Sequence, residues 1–248
     1  MLVKSQAKYI QSLSQKKFRD EQNAFVAEGP KIINELLGAA NVELLHLYGL
    51  KTWLDMHADL IKSVDENKIT EVRESELERI SFLQTPNQAL AVFKKPFFGK
   101  PSFEGKVTVL LDGIQDPGNL GTIVRTADWF GVENVICSKE SADVFNPKTV
   151  QSTMGSISRI QVNYQDLKIF LDAYPRIPLY AASVTGGNLF EIDRIYECFI
   201  LVGNESKGIS KELLDRSSHQ ISIPGKGGAE SLNVAVAAGI ILAWVNKS

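Results

Sequence analysis

VTVLLDGIQDPGNLGTIVRTADWFGVENVIC (Val107–Cys137) sets two apolar runs, VTVLLD and VENVIC, around a stretch whose apolar residues recur at helical spacing. Near-continuous apolar strands separated by helices are the pattern of a parallel sheet covered on both faces. Downstream the pattern repeats, with a strand near Pro178–Ala182, then FILVG (Phe199–Gly203) and HQISI (His219–Ile223). The closing segment Ser231–Lys247 reads as a helix apolar almost all round (Leu232, Val234, Val236, Ile240, Ile241, Trp244). Such a helix is expected to be buried by the sheet on one side and by a partner on the other.

Upstream, KKPFFGKPSFEG (Lys94–Gly105) interrupts the pattern with two prolines and two glycines. It marks a boundary, giving units 1–95 and 106–248 joined by a linker at 96–105. The front unit alternates short signals. Ala7–Leu13 is a basic amphipathic start; Phe25–Gly29, Val42–Gly49, Lys68–Arg73 and Ala89–Phe93 read as strands. Pro30 opens a helix through Leu37, Lys51–Leu60 is helical, and Glu74 opens another helix. The fold class is therefore α/β, a small front α/β unit followed by a parallel-sheet domain.

Bulk properties exclude several classes. With 27 basic and 29 acidic residues among 248, the formal net charge is -2, so no global polycation announces nucleic acid. An RNA partner must be met locally, and Lys4, Lys8, Lys16, Lys17 and Arg19 supply basic residues at the front. Cys137 and Cys198 lie inside strand-like runs as buried thiols, and His46, His57 and His219 lack metal-ligand spacing. The N-terminus lacks a signal-peptide stretch and no run is long enough to span a membrane, so the expectation is a cytoplasmic protein without metal.

Three polar, glycine-rich segments follow strands: NLGTIVRTADWFG (Asn119–Gly131), LVGNESKGIS (Leu201–Ser210) and ISIPGKGGAESLNVAVA (Ile221–Ala237). Loops at the carboxyl ends of parallel strands are where such folds build sites. In the first, Pro117 and Gly118 break the chain and Asn119 is placed to cap the helix carrying Arg125. Arg125 sits in an otherwise apolar face, either paired with a carboxylate such as Asp128 or Glu205, or free to hold a phosphate. The second segment offers backbone groups to a ligand and permits positive φ at Gly203 and Gly208. In the third, Ser231 reads as an N-cap, which leaves Asn233 two residues inside a helix that disfavours it. No G-x-G-x-x-G, Walker A or G-x-S-x-G pattern is present.

Those three motifs, in this order and ending in SLNVAVAAGI, resemble the SpoU, or TrmH-like, family of RNA ribose 2′-O-methyltransferases of the SPOUT class. The resemblance covers about Val107–Val245, and the front unit is similar to the small RNA-binding domain many members carry. It implies a SPOUT domain with a deep trefoil knot, a homodimer formed through the knotted domain, and a structured RNA substrate, rRNA somewhat ahead of tRNA. It also implies S-adenosylmethionine held by Val202, Gly203, Asn204, Ile223 and Leu232, and a catalytic set of Arg125, Asn119, Glu205, Ser231 and Asn233. Ser206 and Gly225 depart from residues common in the family, at loop positions. Because a guanidinium keeps its proton through the physiological range, Arg125 is expected to act as a phosphate clamp rather than a base. The alternatives are a non-catalytic RNA-binding protein with a knotted fold and, disfavoured by the missing glycine fingerprint, a nucleotide-dependent oxidoreductase.

Overall fold

A computed structural model describes residues 2–246 apart from Arg194. The chain forms two compact units, one of residues 1–98 with 145–158, the other of 99–144 with 159–248. The first unit therefore takes in a segment that the sequence places within the second.

In the first unit, β1 (Ala24–Glu28), β2 (Leu44–Leu50), β3 (Ile69–Val72) and β4 (Ala89–Lys94) form one sheet in the order β1-β4-β2-β3. β4 runs antiparallel to both β1 and β2, and β2 is parallel to β3. Pro30 opens helix Pro30–Leu37 from the first-turn position, where its missing N–H costs nothing. The inserted segment closes one side: helix Pro147–Thr153 packs on β1, and the Phe145 and Phe25 rings lie 5.3 Å apart.

Helix Lys16–Gln22 corrects the reading of the basic front. Arg19 is buried and donates to the Leu13 and Ser14 carbonyls at 2.8 and 2.7 Å, satisfying acceptors at the end of helix Lys4–Ser12. Arg19 is thus a structural cation and not part of an RNA-facing surface. Lys16 and Lys17 pair with Asp20 and Glu21 one turn on.

The second unit holds β5 (Val107–Asp112), β6 (Asn134–Cys137), β7 (Gln161–Tyr164), β8 (Leu179–Asn188), β9 (Cys198–Gly203) and β10 (His219–Ser222). The order is β10-β8-β9-β5-β6-β7, and every pairing is parallel. All six carboxyl ends therefore share one edge. The central strands β5 and β9 are apolar and buried, as a two-sided sheet requires. β7 carries Gln161, Asn163 and Tyr164 and is half-buried throughout, so as an edge strand it lacks the apolar run that would announce it. β8 runs well past Ala182, because its distal half pairs Gly187 and Asn188 with Ile221 and Ser222. The closing helix is Val234–Val245, packed on helix Pro117–Trp129 and on β9. The expected start at Ser231 is three residues early, and Lys247 lies outside the described residues.

Candidate functional site

Asp116, not Asn119, caps the first motif's helix. Its carboxylate accepts the Asn119 backbone N–H at 2.8 Å, and Pro117 occupies the first helical position. An aspartate directly before a proline is the sequence signal for this start. Relieved of capping, the Asn119 side chain works outward. Its Nδ2 donates to Glu205 Oε1 at 2.8 Å, and its Oδ1 accepts from Asn233 Nδ2 at 3.0 Å. One residue from each of the three motifs thus joins a single hydrogen-bonded chain.

The far end of that chain explains Asn233. It is itself the N-cap of helix Val234–Val245, its Oδ1 accepting the Ala235 and Val236 N–H groups at 2.9 and 3.3 Å. With the oxygen occupied, its amide nitrogen is left to face Asn119. The polarity of the chain follows, since a carboxylate can only accept and so orients Asn119, which orients Asn233. Ser231 is not a cap but an exposed member of the loop before the helix.

The second motif is tied to the first at two further points. Asn204 Nδ2 donates to the Gly113 carbonyl at 2.7 Å, and the Ser210 N–H reaches Asp112 Oδ2 at 2.8 Å. Gly208 has a left-handed φ of +69°; Gly203 does not, and its need for glycine is steric. A Cβ there would sit 2.4 Å from the Gly208 carbonyl carbon and from the Ile209 nitrogen.

The third loop is built differently. β10 lies three strands from β5, roughly 14 Å at ordinary sheet spacing. Residues 223–233 must therefore arch back over the ends of β8 and β9 to bring Asn233 to Asn119. Pro224 through Asn233 are exposed. From Ile223 to Leu232 no hydrogen bond or ion pair forms among the described residues. Val202 and Gly203 are buried at the end of β9, Asn204 and Ile223 are half-buried, and Leu232 is 48% exposed.

Arg125 lies on the same helix as Asn119, exposed, with no ion pair among the described residues. The expected carboxylates are engaged elsewhere: Asp128 binds Arg159 at 2.9 Å and Glu205 binds Asn119. An exposed cation on the helix that also carries Asn119 suits an anionic group such as a phosphate. Backbone groups at loop ends, the apolar Ile223 and Leu232, and the Glu205 carboxylate suit a nucleoside carrying a positive charge.

Burial pushes the Cys198 thiol up to about 12 and raises Cys137 as well, so neither is a nucleophile. Among the described residues no group of three metal-ligating side chains gathers. No described helix is long and apolar enough to cross a membrane.

Two known families match stretches of this chain. Residues 106–243 match the SpoU rRNA Methylase family, and residues 4–91 match the MRM3-like substrate binding domain. The 23S rRNA (guanosine(2553)-2'-O)-methyltransferase RlmP of Bacillus subtilis is 32% identical over 235 residues, spanning 93% of this chain and 91% of its own. A putative RNA methyltransferase of the TrmH family from Porphyromonas gingivalis superposes with a TM-score of 0.85 at 38% identity, covering 99% of this chain and 98% of that one. The AdoMet-bound rRNA methyltransferase from Sinorhizobium meliloti gives 0.84 at 31% identity, covering 100% and 96%.

Proposed function

The chain belongs to the SpoU rRNA Methylase family, and from that premise we propose that it is an S-adenosylmethionine-dependent RNA ribose 2′-O-methyltransferase acting on ribosomal RNA. The observation that carries the reading is the Glu205–Asn119–Asn233 chain, which draws the three motif loops to one edge of the sheet, with Arg125 exposed on the helix that carries Asn119. Ribosomal RNA is favoured over tRNA because the Bacillus subtilis relative, alike along almost its whole length, acts on 23S rRNA.

When bound, S-adenosylmethionine supplies an electrophilic methyl group. The backbone at Val202, Gly203 and Ile223, together with Leu232, would hold the donor at the ends of β9 and β10. Arg125 clamps the phosphate next to the target ribose and stabilises negative charge growing on the 2′-oxygen. Ser231, exposed on the arching loop, orients the ribose hydroxyl. The chief requirements are alignment of the 2′-oxygen on the methyl carbon and removal of the hydroxyl proton, which would pass to solvent water, because the cationic donor would leave as a neutral thioether.

The return of the chain from β10 over β8 and β9 fits a trefoil knot closed by helix Val234–Val245. Val236 is 51% exposed on that helix and Trp129 84% exposed at the end of its neighbour. Those apolar side chains support a homodimer through this domain. Action on ribosomal RNA supports a cytoplasmic protein.

The reading is tested by transfer of labelled methyl to ribosomal RNA transcripts, with Arg125→Ala beside wild type and donor binding followed by calorimetry. Arg125→Ala is expected to lose at least 100-fold in transfer while donor affinity stays within about threefold. Substantial residual turnover would remove Arg125 from its role. Donor-free, inactive wild-type protein that still binds RNA would make this an RNA-binding protein instead.

A further inference from the structure

Gly113, which belongs to none of the three motifs, is gripped at both of its backbone groups. Its N–H donates to Ser138 Oγ at 2.9 Å, and its carbonyl accepts from Asn204 Nδ2 at 2.7 Å. Gly113 has a left-handed φ of +71°, so the turn after β5 is one that side-chain-bearing residues resist. Ser138 is 6% exposed at the end of β6, and Asn204 is at the end of β9. The two neighbours of β5 thus hold one turn between them.

The other half of the Asn204 side chain is also committed. Its Oδ1 accepts the Ser206 and Lys207 N–H groups at 2.9 and 3.0 Å, closing a turn within the second motif. Its backbone exchanges hydrogen bonds with Gly208 at 3.0 and 2.9 Å. Glu205, between these anchors, is thereby aimed at Asn119. Both ends of the Asn204 amide are therefore used inside the protein.

Building on the proposed methyltransferase reading, we infer that Asn204 and Ser138 are positioning residues, with the two ends of the Asn204 amide serving separate tasks. The oxygen shapes the loop on which the donor lies. The nitrogen, with Ser138, fixes the Gly113 turn that leads into the helix of Asn119 and Arg125. Asn204, expected among the donor-binding positions, would then contribute by holding the loop.

Two substitutions separate the tasks. Asn204→Asp keeps the acceptor for Ser206 and Lys207 but loses the donor to Gly113 and sets a carboxylate against that carbonyl. Asn204→Ala loses both. The prediction is that Asn204→Asp binds S-adenosylmethionine within threefold of wild type but turns over at least tenfold more slowly, and that Ser138→Ala slows turnover in the same way. Asn204→Ala should also lose at least tenfold in donor affinity.

Amide hydrogen exchange on the full-length protein without donor gives a readout independent of activity. Ser206 and Lys207 should stay protected in Asn204→Asp and exchange freely in Asn204→Ala. Equal loss of donor binding in the two variants, or wild-type turnover in Asn204→Asp, overturns the inference. If wild type itself fails to bind the donor, the functional reading falls, and the exchange pattern still decides whether the oxygen closes the loop.

Discussion

A methyl group added to the Gly203 α-carbon would meet backbone rather than a movable side chain, at 2.4 Å from Gly208 and Ile209. Relief requires the β9 end or the turn at Gly208 to shift, and both carry the site. Gly203→Ala is therefore expected to cost about 3 kcal/mol in urea unfolding and to lower donor affinity. Gly228, on the arching loop, faces open space, so Gly228→Ala should fall within ~0.5 kcal/mol of wild type. Equal effects at the two glycines would contradict the close approach. Three of the expected side chains, Asn119, Glu205 and Asn233, meet in one hydrogen-bonded chain, and the clustering of asparagine, glycine and serine where strands end is what pointed to them. Their duties were less legible. Asp116 caps where Asn119 was expected to, and Asn233 caps where Ser231 was. A capping side chain can be chosen from several nearby candidates, and a contact over 114 residues, as between Asn119 and Asn233, selects among them.

At the scale of elements, Glu28 governs the loop before β4. It is 5% exposed at the end of β1, and its carboxylate accepts from the Ser81 hydroxyl and, at 2.8 Å, from the Phe82 N–H. Burial raises its pKa above the ordinary 4.5, with those hydrogen bonds opposing. The folded state then binds this proton more tightly than the unfolded chain. The stabilisation is fully present below the unfolded value and is lost as pH rises through the folded one. Glu28→Gln keeps the shape without the titration. Its stability relative to wild type should grow as pH is raised from 5 to 7.5, as read by urea midpoints; a difference constant with pH would refute the buried charge. Elements themselves were read well where periodicity was strong: β5 spans Val107–Asp112 and helix Pro30–Leu37 its expected range. β7 escaped because an edge strand needs no apolar run, and the far half of β8 because it is polar and glycine-rich where it pairs with β10.

At the scale of the molecule, the front unit is not a detachable bead. Phe145–Ser158 joins it from the middle of the methylase sequence, with Phe145 against Phe25 and Lys95 4.9 Å above the Phe145 ring. Truncation before residue 99 would strip the sheet from under that segment, so RNA binding is better probed by substituting Lys4 and Lys8 in the whole chain. No local pattern announces such an exchange, since helix Pro147–Thr153 is only seven residues long. In the parallel-sheet unit, the β5 and β9 loops are welded together, while among the described residues the arch from Ile223 to Leu232, between β10 and Asn233, makes no hydrogen bond of its own. We propose that this arch and the β9 loop close on S-adenosylmethionine. Hydrogen exchange of the full chain with and without the donor tests it most directly. Protection should appear at residues 201–210 and 221–234 and leave the front unit unchanged; protection elsewhere, or none at saturating donor, would contradict the account.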